Sequence, residues 1–239
     1  MFYKLSNNSS KELIESEIGI SFKHPNLYEP KQIINGLDEE VLPIITSQNQ
    51  NQIQFGIWGI LPENYSDDWI NYQKLNNTLN VTLDNLNNQV VDYSKSRKCV
   101  IIIKGFFSSF IKDGQIYPYY VYHESQKPFL IGGIYNILSD GFITCSPVLT
   151  KAGPSFKKIH NISNTMPIII DKNQIETWLE TSLNIKNKKN ISLSNDKLYA
   201  HSISRQFYET ELIFDSILEP QNYNGLENNL VFDNSYIIT

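Results

Sequence analysis

Apolar residues along this chain gather in short runs set between polar turns, and few stretches carry the wider spacing of a helix. Runs at 41–46, 53–60, 100–103, 117–123, 129–135, 141–148 and 166–170 are rich in β-branched and aromatic side chains, which predicts strands. A helix is predicted over 9–18, where Ser9 or Ser10 can cap and Leu13, Ile14 and Ile18 recur at helical spacing. A second is predicted over 173–183, with Ile175, Trp178 and Leu179 on one face. The Asn-rich stretch 75–91 is weakly periodic and reads as a loop with a short helix. The Lys/Asn-rich stretch 184–190, with Lys186, Lys188 and Lys189, reads as an exposed loop. The tail from Leu198 mixes apolar and acidic residues and ends in a strand at 229–232. Many strands, few helices and no repeat or low-complexity linker predict one β-rich α+β domain over 1–239.

Composition supports a folded domain: 14 Tyr and 12 Phe can fill a sizeable core. No apolar run approaches the ~20 residues of a membrane helix. The first residues hold no apolar core followed by a small-residue cleavage site, so no signal peptide and a cytoplasmic location are expected. Cys99 and Cys145 are the 2 cysteines, each in an apolar context, which predicts packing rather than a disulfide or a metal site. His24, His123 and His201 show no metal-ligand spacing, and neither a metal nor a cofactor is expected. The net charge of −5 makes the average field mildly repulsive to DNA, and only Arg97 and Arg205 offer the bidentate phosphate clamp.

Gly-rich phosphate loops, H-E-x-x-H, paired C-x-x-C and nucleophile elbows are absent. What the chain does carry is an ordered series of short segments. Leu42-Pro43-Ile44-Ile45-Thr46 precedes Trp58-Gly59-Ile60-Leu61-Pro62. Asn80-Val81-Thr82-Leu83-Asp84-Asn85 follows, then Lys98-Cys99-Val100-Ile101 and Gly105-Phe106-Phe107-Ser108-Ser109. Next come Ile131-Gly132-Gly133-Ile134-Tyr135, Ile159-His160-Asn161, Met166-Pro167-Ile168-Ile169 and Trp178-Leu179. The series resembles the SRAP family of abasic-site-processing proteins, in the order P-V-I-T, W-G-L-I-P, N-A-R-x-E-T, R-C-L, G-F-Y-E-W, F-A-G, I-H-x-R-M-P-V-I and W-L. No piece is specific alone; their order and spacing over 42–179 carry the resemblance. The fold it implies is a single α+β domain with a mixed, barrel-like sheet and a few flanking helices.

The chemistry implied by the resemblance needs a cysteine directly after the initiator methionine. Once exposed, its amine condenses with the ring-opened aldehyde of an abasic site in single-stranded DNA, and its thiol closes a thiazolidine. An α-amino group is partly neutral near pH 7, and sulfur supplies the second nucleophile. This chain has Phe2 there, which cannot close such a ring. Met1 is also expected to be retained before so bulky a residue. The family's glutamate falls at Ser108, and its two arginines fall at Thr82 and Thr165, leaving at most neutral hydrogen bonds to DNA. Two positions match: Asn80 and His160. His160 either shuttles a proton or merely hydrogen-bonds across the loop before the next strand. Trp58 either stacks on a base or, more commonly at such a strand end, packs in the core. The sequence therefore predicts a degenerate member of the family, a monomer that is at most a weak binder of single-stranded DNA or an interaction module. The competing expectation is an enzyme that forms an imine through its amino terminus with help from His160. Self-processing as a peptidase ranks last, for want of the cysteine.

Overall fold

The computed structural model describes residues 2–87, 97–180, 191–192, 197–209, 215–233 and 237–238. In chain order the first strands are β1 (Lys4–Asn7), β2 (Lys31–Asn35), β3 (Val41–Thr46), β4 (Asn49–Trp58), β5 (Val81–Thr82), β6 (Arg97–Ile103), β7 (Gly105–Lys112) and β8 (Gln115–His123). They are followed by β9 (Phe129–Ile137), β10 (Ile143–Lys151), β11 (Thr165–Pro167), β12 (Ile169–Ile170), β13 (Ile191–Ser192), β14 (Lys197–Ser202), β15 (Asn229–Asp233) and β16 (Ile237–Ile238). The helices are α1 (Lys11–Ile18), α2 (Trp69–Asn76), α3 (Ile175–Glu180) and α4 (Gln206–Glu209). This is a mixed α+β fold dominated by strands.

Five strands close into a ring. β3 pairs antiparallel with β4 and β6, β6 with β9, and β9 with β10. The ring is completed in parallel, where β10 meets β4 at Thr144↔Ile57 and Cys145↔Trp58. Beyond Pro147↔Gly133, β9 and β10 part, and the segment after Thr165 fills the gap. The Ile168 amide there donates to the Val148 carbonyl, and the Gly132 amide donates to the Ile168 carbonyl. The single strand predicted over 166–170 is thus two, β11 on β10 and β12 on β9, because the chain crosses from one partner to the other. A second sheet of six strands runs β15-β14-β8-β7-β1-β2. Its β7–β8 hairpin turns on Asp113 and Gly114, both at positive φ (50° and 71°), as a two-residue turn matched to strand twist requires.

Alternation along β6 explains the core. Cys99, Ile101 and Ile103 face one apolar cluster, and Val100 and Ile102 face the other. The first cluster lies against the second sheet and takes in Phe2, Phe106 and Phe156; the second packs under Ile14 and Ile18 of α1 and Trp178 and Leu179 of α3. Both cysteines are fully buried free thiols whose pKa burial pushes upward, so they are packing residues. Ser10, not Ser9, caps α1 by accepting from the Leu13 amide at 3.2 Å.

Trp58 belongs to the first cluster and has no exposed surface. Its indole N–H donates to the Leu79 carbonyl at 2.7 Å, and Gly36 lies against its ring. In this fold the ring packs in the core and offers no exposed surface to a base. The sequence pattern also missed β1, β2, β7, β14 and α2. The stretch 184–190, with its lysine cluster, lies outside the described residues, as does the end of the predicted helix over 173–183.

Candidate functional site

The segments flanking β10 and β7 bring together most of the positions singled out in the sequence. β7 carries Ser108, whose register partner on β8 is Tyr119, so both face the same side of the sheet. A loop after β10 passes over that face and delivers Phe156 and His160. Ser108 donates to the Ile159 carbonyl at 2.8 Å and lies 3.0 Å from His160 Nδ1. Because the single hydroxyl proton of Ser108 is used on that carbonyl, Nδ1 carries the imidazole proton and donates it to Ser108 Oγ. Nε2 then accepts from Ser163 Oγ at 2.8 Å, and Ser163 lies 3.0 Å from Thr165 Oγ1. A continuous chain of hydrogen bonds thus runs from Thr165 through Ser163 and His160 to Ser108.

His160 is 2% exposed, and burial lowers its pKa from 6.5 to about 4. The ring is a neutral imidazole at physiological pH, with both nitrogens already engaged. Ser163 was not legible as a site residue. It sits in the few extra residues between His160 and Met166, so the insertion itself was the available signal.

Phe2 covers the remaining face of the histidine. The two rings stack at 5.1 Å between centroids and 21° between planes. The Phe2 ring also meets Phe106 edge-on at 5.7 Å and lies 6.3 Å from Phe156. It is 2% exposed. Asn80, immediately before β5, fixes this arrangement by donating Nδ2 to the Phe2 carbonyl at 2.8 Å. The residue that the sequence marks only as a missing nucleophile is structurally an aromatic plug.

Thr82 and Thr165 stand on two short strands that pair with the later part of β10, at Leu149↔Thr82 and Lys151↔Thr165. Thr82 Oγ1 accepts from the Asn85 amide at 3.2 Å and does not join the histidine chain described above, whereas Thr165 does. Among the described residues no group of three or more His, Cys, Asp or Glu side chains is placed to hold a metal ion.

The sequence profile described as SOS response associated peptidase (SRAP) matches residues 1–209. The chain belongs to the SRAP family. Solved structures agree on the fold. A crystal structure of a protein from Bacteroides thetaiotaomicron matches with a TM-score of 0.71 at 18% identity, covering 91% of this chain and 98% of that one. A Bordetella bronchiseptica protein matches with a TM-score of 0.66 at 13% identity, over 84% of this chain and 99% of its own. A phage-related protein from the same organism matches with a TM-score of 0.52 at 13% identity, over 74% and 81%. No curated protein matches this SRAP chain. No helix among its described residues is long and apolar enough to cross a membrane.

Proposed function

We propose that this SRAP protein does not capture abasic sites and acts as a non-catalytic member of the family, either a weak binder of single-stranded DNA or an interaction module. One observation carries the reading. The position where the resemblance calls for a cysteine holds the Phe2 ring, buried against His160, Phe106 and Phe156 with its carbonyl tied to Asn80. A phenyl ring supplies no second nucleophile, so an aldehyde condensed at the amino terminus cannot be closed into a stable ring. Ser108 in place of a carboxylate gives His160 a neutral partner, which does not raise its basicity as an acid would. Thr82 and Thr165 replace charge-assisted phosphate contacts with neutral ones.

Incubation of the purified protein with abasic single-stranded DNA, read on denaturing gels, is expected to give no SDS-stable adduct. A heat-resistant crosslink would sink the reading. An adduct seen only after borohydride trapping, with strand cleavage, would instead establish the imine-forming enzyme. Titration with intact single strands at two salt concentrations separates the two non-catalytic roles: salt-sensitive binding marks a DNA binder, and no binding marks an interaction module.

A further inference from the structure

The chain holds two Asn-Gly pairs, Asn35-Gly36 and Asn224-Gly225, and the fold treats them in opposite ways. Such pairs are chemically labile, because glycine has no Cβ to keep its amide nitrogen away from the preceding side-chain amide carbon. Asn35-Gly36 is locked. The Gly36 amide donates to the Tyr3 carbonyl at 2.8 Å, and the glycine is buried against the Trp58 ring, where an added Cβ would sit 3.0 Å away. The Asn35 side chain is held as well: Nδ2 donates to Asp38 Oδ2 at 2.8 Å, and Oδ1 accepts from the Leu37 amide at 3.4 Å.

Asn224-Gly225 lies in the loop before β15, and both residues are exposed. Among the described residues, neither the Asn224 side chain nor the Gly225 amide makes a hydrogen bond. Gly225 takes φ 74°, a conformation that favours glycine. The turn is closed by one long bond, 3.4 Å from the Leu226 amide to the Tyr223 carbonyl. Its base is firm. The Asn228 side chain accepts from the Tyr223 amide at 2.6 Å and donates to the Tyr223 carbonyl at 2.9 Å, and the Tyr223 hydroxyl donates to the Ile203 carbonyl at 3.0 Å. The pair therefore sits in a pinched, solvated bulge that rearranges while the sheet beneath it stays folded.

We infer that Asn224 is a spontaneous modification site, converted to aspartate and isoaspartate in the folded protein. The Gly225 nitrogen loses its proton to solvent base and attacks Asn224 Cγ. The new N–Cγ bond closes a succinimide ring, the Cγ–Nδ2 bond breaks, and Nδ2 leaves as ammonia with a proton from water. Water then opens the ring at one of its two carbonyls. Attack at Cγ gives aspartate, and attack at the Asn224 main-chain carbonyl carbon gives isoaspartate. Either product adds one negative charge to a chain of net −5, one residue from the Gly225 carbonyl that the Lys112 ammonium holds at 2.6 Å. The reaction is independent of His160 and of the reading of that site.

The test incubates the folded full chain in mildly alkaline buffer and maps its peptides by mass spectrometry over time, with released ammonia assayed in parallel. Aspartate and isoaspartate are expected in place of Asn224 at least about tenfold faster than in place of Asn35, because Asn35-Gly36 must first break its hydrogen bonds. In urea, where neither pair is held, the two should react at similar rates. Asn224→Gln, whose longer side chain closes a ring far more slowly, should remove most of the early ammonia and the acidic form that ion exchange separates. Circular dichroism of the incubated wild type should stay that of the folded chain. Equal rates at the two pairs in the folded chain, or faster reaction at Asn35, would overturn the assignment. So would an unchanged Asn224 over a time in which the urea-unfolded chain converts, or conversion that appears only as the folded signal is lost.

Discussion

At the scale of single residues, the site is decided by what surrounds His160. Sequence alone left two roles open for it, and the structure engages both ring nitrogens, one with Ser108 and one with Ser163. Such a ring is expensive to charge, and that has a consequence for stability. Its pKa falls from 6.5 to about 4 on folding because burial disfavours the imidazolium. Above pH 6.5 it is neutral in both states and contributes no pH dependence. Between 6.5 and about 4 the unfolded chain binds a proton that the folded chain refuses, so stability falls as pH falls through that window. The slope is about 1.4 kcal/mol per pH unit at most, and it levels off below about 4. Burial also lowers the pKa of His201, so it too makes stability fall as pH drops below 6.5. Urea unfolding of wild type and His160→Asn at pH 7 and pH 4.5 separates the two contributions. The variant is expected to lose less stability between those pH values, and an identical loss would place the effect elsewhere.

At the scale of elements, close approach explains why certain positions tolerate only glycine. Gly132 on β9 packs under the Trp178 ring of α3: an added Cβ would sit 2.8 Å from the ring, which is itself fixed by an indole hydrogen bond to the Cys99 carbonyl at 2.7 Å. Gly132→Ala must push α3 off the ring of strands, so a loss of about 1–3 kcal/mol is expected from the shift of the urea midpoint. The two sequence features that met here, a Gly-Gly pair and a Trp-Leu pair nearly fifty residues apart, were legible individually. Their contact was not, because nothing local records which helix covers which strand. Three of the elements the pattern missed, β1, β2 and α2, share a cause. β1 and β2 carry polar residues such as Ser6, Asn7, Lys31 and Gln32 that read as turn or surface. α2 has only Trp69 and Gln73 buried, too little to set a period.

At the scale of the whole molecule, the second sheet is laid against the ring of β3, β4, β10, β9 and β6 by Phe2, Leu5, Phe106 and Tyr119. Strands β6 and β9 pair over seven residues and are covered on both faces, whereas β15 is an edge strand. Hydrogen exchange is accordingly expected to be slowest at the amides of Ile101 and Ile131 and to open first along β15; uniform protection would argue against a ring-centred core. Residue type and order were enough for the family, the β-rich α+β class, the apolar surroundings of both cysteines and the absence of a thiol after the first residue. Only the folded arrangement shows that the Phe2 ring fills the site, that Trp58 is buried on both faces and that Ser163 joins His160. These depend on which surfaces meet across the gap between two sheets, and contacts between residues distant in the chain leave no periodicity from which to read them.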